Sequence, residues 1–402
     1  MTLSVLEKAG KKFRSEGMSD RVKNIIMSPI KEMMVLAAEK ENTVSLAQGI
    51  PSMDTPQHIK DAACAAIQGS VAGKYCLLYG IKELREELAK RLREQRNADI
   101  EPLKEICITA GAMESLAAIA LTIINSNDEV ILLSPVYSPM IEHVRLCGGK
   151  PVFIDLKEEE GWGIDLEKLE KAITEKTKAI IFSNPMNPTG AVLSEEELKQ
   201  IAELVIKNNI FIISDETYNF LVYDGLPYFS LLSMPELKNN LISIGSFSKN
   251  YAMTGYRCGY VVAEEGIINQ MAKIHDALVV CGPVVSQFAA LAALKGPQDC
   301  AREMKEDMQA KRDLMCARLD KLSSVFSYAK PKGAYYIMAK ILKPNVGNSF
   351  DFAIDLLNNT GVVTVPGGAF GPLGEKYLRF SFGGSREVIN EAFDRMEKYF
   401  GV

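Results

Sequence analysis

Residues 178–190 read KAIIFSNPMNPTG, a short apolar run that ends in polar residues, prolines and a glycine. A run of this kind is typical of a strand that a sheet buries on both faces. Ser194 then predicts the start of a helix, because Glu197 stands three residues later and completes a capping box. The stretch therefore predicts a strand, a polar loop and a helix in succession.

The same alternation of strands and helices extends over residues 105–265. Apolar runs typical of buried strands lie at 105–109, 129–133, 178–182, 210–213, 241–244 and 260–262. Helix-forming segments lie between them, and Asp165 is expected to begin one. This alternation predicts an α/β fold with a mostly parallel sheet that helices cover on both faces.

The pattern changes after about residue 295, where a long charged helix, short strands and a further helix predict a smaller α+β domain. We therefore expect a large domain at 51–294 and a small C-terminal domain at 295–402. Residues 1–50 are too few for a domain of their own. We expect them to form an N-terminal arm and part of the small domain.

The composition excludes several classes of function. With 46 Lys and Arg against 51 Asp and Glu, the net charge of −5 has the wrong sign for broad binding of nucleic acid. Acidic residues interrupt the basic N-terminus, which predicts a solvated arm rather than a targeting segment. The longest apolar stretch, 116–124, is too short to span a bilayer. Eight scattered cysteines and three histidines argue against a metal site and favour a reducing, cytoplasmic location.

Polar or glycine-containing sequences follow five of the predicted strands. They occupy residues 108–113, 133–137, 182–190, 213–218 and 244–249. In open α/β sheets, ligands bind beyond the carboxyl ends of the strands, where loops and helix N-termini converge. We therefore expect these five segments to line a single cleft.

An anion site is expected at the first and last of these segments. Gly111 lets the backbone pass close to a ligand, and the helix after it offers unpaired N–H groups to a phosphate. Ser246, Ser248 and Arg257 bring hydroxyls and a guanidinium to the same anion. Each motif alone has another explanation, a tight turn for Gly111 and a surface salt-bridge cluster for Arg257.

Two ionisable residues follow apolar strands. Lys249 stands between a serine-rich turn and residues 251–255, where burial would remove much of its charge and make the amine a nucleophile towards carbonyls. Asp215 ends the run at 210–213, so its carboxylate needs a cation or strong donors nearby. Its neighbour Glu216 is expected to be solvated.

The order of these motifs resembles that of a known family. The chain carries Asn-Pro-x-Asn-Pro-Thr-Gly, Ser-Asp-Glu-x-Tyr, Ser-x-Ser-Lys and an arginine eight residues after the lysine. Together with residues 46–51, 75–85 and 378–381, they resemble the fold-type I pyridoxal phosphate enzymes of the aspartate aminotransferase superfamily over nearly the whole chain. The resemblance implies a homodimeric aminotransferase whose large domain holds a mostly parallel, seven-stranded sheet.

The resemblance also implies how each residue acts on pyridoxal phosphate. Lys249 would hold the cofactor as a Schiff base and move the proton between the substrate Cα and C4′ of the cofactor. Asp215 would pair with the pyridine nitrogen and keep it protonated, so that the ring accepts electrons. Asn187 and Tyr218 would hydrogen-bond the phenolic oxygen, and Tyr137 would stack on the ring.

Further implied contacts involve the phosphate and the substrate. The implied phosphate ligands are Gly111, Ala112, Met113, Ser246, Ser248 and Arg257. Tyr75 would reach the phosphate of the neighbouring subunit, which implies shared active sites. Arg379 would grip the substrate α-carboxylate beside Asn187 and the Gly49 N–H, and so orient the Cα–H bond for cleavage. An interdomain salt bridge is the alternative role for Arg379.

Met113 bears on the choice of substrate. Acidic-substrate relatives in the closest subgroup carry a lysine at this position, whereas methionine cannot pair with a distal carboxylate. Ile30, in a segment that approaches the same pocket in relatives, is also apolar. We therefore expect uncharged or aromatic L-amino acids as donors and a 2-oxo acid such as 2-oxoglutarate as acceptor.

Three other functions remain open from the sequence. An arginine from elsewhere in the chain would allow aspartate aminotransfer. A C–S β-lyase acting on cysteine conjugates would use the same Lys249 and Asp215. The third is a non-enzymatic pyridoxal phosphate-binding regulator joined to a DNA-binding module. The acidic charge and the start of enzyme-like elements by about residue 20 argue against this regulator.

Overall fold

The computed structural model describes residues 18–23, 25–344 and 347–402, so the basic N-terminal segment lies outside the described residues. The strands in these ranges are β1 Val44–Ser45, β2 Ile106–Thr109, β3 Glu129–Ser134, β4 Lys150–Asp155, β5 Thr177–Ser183, β6 Phe211–Asp215, β7 Leu241–Ser246, β8 Gly259–Ala263, β9 Phe326–Tyr328, β10 Tyr336–Ile341, β11 Val362–Val363, β12 Val365–Pro366 and β13 Tyr377–Ser381. The α-helices are α1 Asp20–Lys23, α2 Pro29–Ala38, α3 Gln57–Gln68, α4 Lys82–Arg96, α5 Pro102–Glu105, α6 Ala112–Ile123, α7 Ser138–Leu146, α8 Leu166–Ala172, α9 Glu195–Asn208, α10 Glu265–Val279, α11 Val284–Lys295, α12 Asp299–Lys321, α13 Ser349–Thr360 and α14 Arg386–Phe400.

The largest sheet of the described chain has seven strands in the order β2-β8-β7-β6-β5-β3-β4. β8 is antiparallel to both of its neighbours, and the other strands run in one direction. Successive side chains point to opposite faces, so that Ile180 and Ile181 on β5 join different clusters of buried apolar residues. The predicted α/β fold with a mostly parallel, helix-covered sheet is confirmed.

Every strand predicted between residues 105 and 265 is present within one or two residues of its expected position. β4 is the strand that the sequence analysis missed. It forms one edge of the sheet, and of its six residues three are partly buried and two are exposed. An edge strand of this kind lacks the continuous apolar run that marks the central strands.

The predicted helix starts are also confirmed. The Ser194 Oγ accepts a hydrogen bond from the Glu197 N–H at 3.2 Å, and Glu197 Oε2 accepts one from the Ser194 N–H at 2.8 Å. The Asp165 carboxylate caps α8 by accepting from the Lys168 N–H at 3.1 Å. These caps satisfy backbone donors that have no partner inside the helix.

A four-stranded antiparallel sheet, β12-β13-β10-β9, lies in the C-terminal part of the chain. The segment at 44–46 joins this part, because β1 pairs with β11 and the Leu46 carbonyl accepts from the Ser381 N–H at 2.8 Å. This pairing brings the loop that contains Gly49 towards the main sheet. The domain boundaries themselves stay a prediction.

Two further features concern the cysteines and the length of the apolar helices. All eight cysteines are free thiols. Among residues 18–23, 25–344 and 347–402, no helix has the length and apolar character needed to cross a membrane.

The expectation for Glu216 is wrong. Its side chain is 1% exposed and forms an ion pair with Arg96, at the end of α4. Ser230 Oγ donates a second hydrogen bond to the carboxylate at 2.7 Å, and the Arg96 guanidinium lies over the Tyr228 ring at 5.7 Å. The partner stands 120 residues away in sequence, so local sequence did not reveal it. The pair lets a charged residue lie buried directly beside Asp215.

Replacing Arg96 with methionine should strongly destabilise the fold. It leaves the buried Glu216 carboxylate without its cation, which typically costs about 3–5 kcal/mol. The matched control is Arg93→Met on the same helix, since the Arg93–Asp99 pair is 63% and 96% exposed and should contribute about 1 kcal/mol or less. Urea unfolding measures both. Equal losses in the two variants would contradict the burial of Glu216.

Candidate active site

A cavity of about 570 Å³ lies at the carboxyl ends of the parallel strands. The sequence-predicted residues that line it are Gly49, Ala112, Met113, Tyr137, Asn187, Asp215, Tyr218, Ser246, Ser248, Lys249, Arg257 and Arg379. Because β8 runs antiparallel to the others, its first residues lie at the same sheet edge, which explains how Arg257 reaches the cavity. Residues up to 332 positions apart therefore meet at one site.

Two of the predicted residues do not line this cavity. Gly111 lies just behind it, where a Cβ would collide with the Arg257 guanidinium. Tyr75 is 80% exposed on the surface of the chain, and its contact with a neighbouring subunit stays a prediction.

The predicted anion site is built from α6, β7 and β8. Gly111 precedes α6 with φ at +85°, a conformation that glycine adopts without strain. The first N–H groups of α6 belong to Ala112 and Met113, and both residues line the cavity. Arg257 is held by a 2.8 Å hydrogen bond from its Nη1 to the Thr254 carbonyl. These groups form a cradle of N–H donors, hydroxyls and one guanidinium.

Lys249 follows β7 by three residues, and its partly buried side chain lines the cavity. Its Nζ donates to the Gly49 carbonyl at 2.8 Å and lies 5.7 Å from the centre of the Tyr335 ring. Burial, followed by the positive charges of Arg257 and Arg379, lowers the pKa of Lys249 to about 8. A sizeable fraction of the amine is therefore neutral and nucleophilic near physiological pH.

Asp215 is the last residue of β6 and is 5% exposed. Its Oδ1 accepts hydrogen bonds from the Thr217 N–H at 3.0 Å and the Thr217 hydroxyl at 2.6 Å. Burial raises the pKa of Asp215, while the two Thr217 bonds oppose this shift. A cation placed against Oδ2 would favour the ionised carboxylate. The sequence analysis did not identify Thr217 as the residue that orients Asp215.

Tyr336 was also missed by the sequence analysis. Its hydroxyl is 2.9 Å from the hydroxyl of Tyr218, and its ring lies under the Arg379 guanidinium at 4.5 Å. A Cβ on Gly49 would overlap this hydroxyl, so the Gly49 backbone passes very close to Tyr336. The two adjacent tyrosines at 335 and 336, where β10 begins, are the feature of the sequence that could have pointed to it.

Arg379 is 2% exposed and lies at the centre of β13. Its Nη1 donates to Asn187 Oδ1 at 3.1 Å and its Nη2 donates to the Ala47 carbonyl at 2.7 Å. The Nε atom has no hydrogen-bond partner among the described residues. A buried guanidinium without a carboxylate partner is suited to bind one from a ligand.

Part of the cavity lining, called the outer wall below, consists of apolar side chains. It includes Met113, Leu116, Ile30 and Met34. The Tyr137 hydroxyl lies 3.7 Å from the sulfur of Met113, which places the methionine beside the ring of Tyr137. This wall favours an uncharged side chain, because a carboxylate buried against it would lose its hydration.

The Lys249 amine should react with aldehydes at lower pH than an ordinary lysine amine does. Because a base with a lowered pKa loses its proton at lower pH, the neutral fraction should rise through a midpoint of about 8. The rate at which the cofactor-free protein takes up pyridoxal phosphate, followed by absorbance, should rise with the same midpoint. Lys249→Ala should show no such uptake at any pH. A midpoint near 10.5, the ordinary lysine value, would contradict the burial argument.

Comparisons with known proteins identify the family. A family model described as aminotransferase class I and II matches residues 41–396. Aromatic-amino-acid aminotransferase 2 of Thermococcus litoralis is 35% identical over 383 residues, which cover 95% of this chain and 97% of that protein. Aspartate aminotransferase of Pyrococcus abyssi is 36% identical over 383 residues, with 95% and 97% covered.

Solved structures agree with this assignment. The aromatic aminotransferase of Pyrococcus horikoshii OT3 superposes with a TM-score of 0.85 at 34% identity, covering 92% of this chain and 98% of that one. The chain therefore belongs to the class I and II aminotransferases, enzymes that use pyridoxal phosphate to move an amino group between an amino acid and a 2-oxo acid.

Proposed function

We propose that the enzyme transfers the amino group of uncharged or aromatic L-amino acids to a 2-oxo acid such as 2-oxoglutarate. The observation that carries this proposal is the apolar outer wall of the cavity, where Met113 and Ile30 face the site. Relatives of similar identity are named for aromatic and for aspartate substrates. The family alone therefore does not select the substrate, and the apolar wall is the feature that supports uncharged or aromatic donors.

The residues of the cavity fit pyridoxal phosphate. Gly111 opens a cradle whose donors suit a phosphate, with Ser246, Ser248 and Arg257 beside the first N–H groups of α6. The Lys249 amine suits the aldehyde, and the Asp215 carboxylate suits the cationic ring nitrogen. When bound, the cofactor supplies an electron-accepting ring that stabilises the negative charge left at the substrate Cα.

Lys249 carries the proton transfer in this proposal. The Lys249 Nζ donates a hydrogen bond to the Gly49 carbonyl at 2.8 Å. The lowered pKa of this amine suits a group that must both accept and release a proton near neutral pH. The four-carbon stem gives this single amine the reach to act on neighbouring atoms.

Asp215, Tyr218 and Asn187 set the charge around the cofactor. Asp215, oriented by Thr217, would pair with the ring nitrogen and favour its protonated form. The Tyr218 hydroxyl and the Asn187 amide would donate hydrogen bonds to the phenolic oxygen of the bound cofactor. Burial raises the pKa of Tyr218 well above its ordinary value, so its hydroxyl keeps the proton that it donates.

Arg379 and Gly49 orient the substrate. The guanidinium is fixed by Asn187, the Ala47 carbonyl and the Tyr336 ring, so that it binds the α-carboxylate in one geometry. This fixed position would orient the substrate so that its Cα proton lies within reach of Lys249. The Gly49 N–H would donate to the same carboxylate.

We further propose a homodimer with shared active sites. Tyr75 is 80% exposed, and the apolar residues around it in sequence are exposed as well: Ile67 at 63%, Val71 at 43% and Leu77 at 68%. A second subunit would cover these side chains and receive the Tyr75 hydroxyl at its phosphate cradle.

Replacing Asp215 with asparagine should lower kcat by about 10²–10⁴-fold. The neutral amide removes one member of a buried charge pair, which typically costs about 3–5 kcal/mol, and each 1.4 kcal/mol is about tenfold in rate. The exposed Asp61→Asn is the control and should keep the full rate. Retention of the full rate by Asp215→Asn would exclude the proposed pairing with the ring nitrogen.

Met113→Lys should shift the donor preference towards aspartate. A partly exposed lysine pair contributes about 1 kcal/mol, so kcat/KM for aspartate relative to phenylalanine should rise about fivefold. Leu121→Lys is the matched control, because Leu121 lies on the same helix with 36% exposure against 37% for Met113 and does not line the cavity.

Turnover of phenylalanine, methionine, alanine, aspartate and a cysteine conjugate by the unaltered enzyme completes this test. A strong preference for aspartate would refute the apolar-wall argument. Release of pyruvate and ammonia without a 2-oxo acid would instead identify a C–S β-lyase.

A further inference from the structure

The phosphate cradle depends on one short turn, residues 109–112, which joins β2 to α6. A Cβ on Gly111 would overlap Arg257 Nη2, and a Cβ on Gly259 would lie 2.6 Å from the Ala112 nitrogen. The turn is therefore packed tightly between the Arg257 guanidinium and the first residue of β8. A small shift of the turn would move the first N–H groups of α6 and press on the guanidinium at the same time.

The side chain of Glu114 reaches back from the first turn of α6 to this segment. Its Oε2 accepts a hydrogen bond from the Ala110 N–H at 3.1 Å. Ala110 precedes the helix, so no carbonyl inside α6 accepts from this N–H. Glu114 itself does not line the cavity. It can therefore act on a bound phosphate only through the turn that it holds.

A buried histidine from a distant helix fixes the Glu114 carboxylate. His275, on α10, is fully buried, and its Nδ1 lies 3.1 Å from Glu114 Oε1. Because an ionised carboxylate only accepts hydrogen bonds, the proton of this pair lies on Nδ1. Within the described ranges, the His275 Nε2 has no hydrogen-bond partner. Both oxygens of Glu114 are thus engaged, one by the turn and one by the imidazole.

The charge of Glu114 by itself opposes the binding of an anion. A carboxylate in the first turn of a helix is stabilised by the helix dipole, but it also repels a phosphate at the same end of the helix. The hydrogen bond to Ala110 supplies the reason for a carboxylate at this place, because it fixes the segment on which the phosphate donors depend.

We propose, on the basis of the cofactor site proposed above, that Glu114 is a positioning residue for the phosphate. Held by His275, it fixes the turn at 109–112 so that the α6 N–H groups and Arg257 meet one phosphate together. It takes part in no chemical step. Removing it should weaken ligands that carry a phosphate and spare those that lack one.

Ligands that differ in the phosphate separate this role from a general effect on the fold. Absorbance titration of the cofactor-free protein gives Kd for pyridoxal phosphate and for pyridoxal, and calorimetry gives Kd for inorganic phosphate. Glu114→Ala should raise Kd about tenfold for pyridoxal phosphate and for inorganic phosphate, because a hydrogen bond to a charged group is lost. Kd for pyridoxal should not change.

Glu114→Gln distinguishes position from charge. Its amide oxygen can still accept from the Ala110 N–H, so pyridoxal phosphate should bind within about twofold of the unaltered protein. If Glu114 acted through its charge, both Glu114→Gln and Glu114→Ala should instead bind phosphate more tightly. His275→Leu removes the group that orients the carboxylate and should weaken pyridoxal phosphate in the same direction as Glu114→Ala. It provides the same comparison if Glu114→Ala does not fold.

Glu105→Ala is the matched control. Glu105 Oε2 accepts from the Glu101 N–H at 2.9 Å, so it too bonds to an amide four residues earlier. The side chains of Glu105 and Glu114 are 8% and 10% exposed, and Glu105 does not line the cavity. Glu105→Ala should lower the urea midpoint of unfolding and leave the ratio of Kd for pyridoxal to Kd for pyridoxal phosphate unchanged.

An unchanged Kd for pyridoxal phosphate in Glu114→Ala would overturn the proposal. So would equal losses for pyridoxal phosphate and pyridoxal, or tighter phosphate binding by Glu114→Gln. A wrong assignment of the amino donor is a separate result, since it appears in the turnover of phenylalanine and aspartate. The titrations contain no amino acid and do not depend on the donor.

Discussion

The hydrogen bond from Lys249 to the Gly49 carbonyl joins the two halves of the site. A buried amine needs an acceptor, and here the acceptor comes from a loop 200 residues earlier in sequence. That loop is held by the pairing of β1 with β11 and by the Leu46–Ser381 hydrogen bond. The reactive amine and the groups expected to bind the substrate carboxylate are thereby fixed relative to each other.

Burial is the main cause of the shifted pKa values in this site. Lys249 has a lowered pKa because it is buried near Arg257 and Arg379, while burial raises the pKa of Asp215. The neighbouring Glu216 stays buried because Arg96 pairs with it. Oppositely directed shifts in one cavity are typical of sites that move protons.

Much of the fold and of the site could be predicted from the sequence because the information there is local. Central strands such as β5 appear as continuous apolar runs, and the Ser194 capping box appears as two residues at fixed spacing. Residues that follow central strands, such as Asp215 and Lys249, were expected to converge because parallel strands end at one edge. β4 was missed because a half-buried edge strand has no comparable pattern.

The sequence alone determined the α/β alternation, the family and the residues that converge on the cavity, because each depends on a motif or a periodicity within a few residues. Tertiary structure decided which groups touch: that Arg96 pairs with Glu216, and that Tyr336 lies between Tyr218 and Arg379. Two of these contacts join residues more than a hundred positions apart, 120 for Arg96 and Glu216 and 118 for Tyr218 and Tyr336. The packing of the sheets and helices creates them, and no local pattern encodes them.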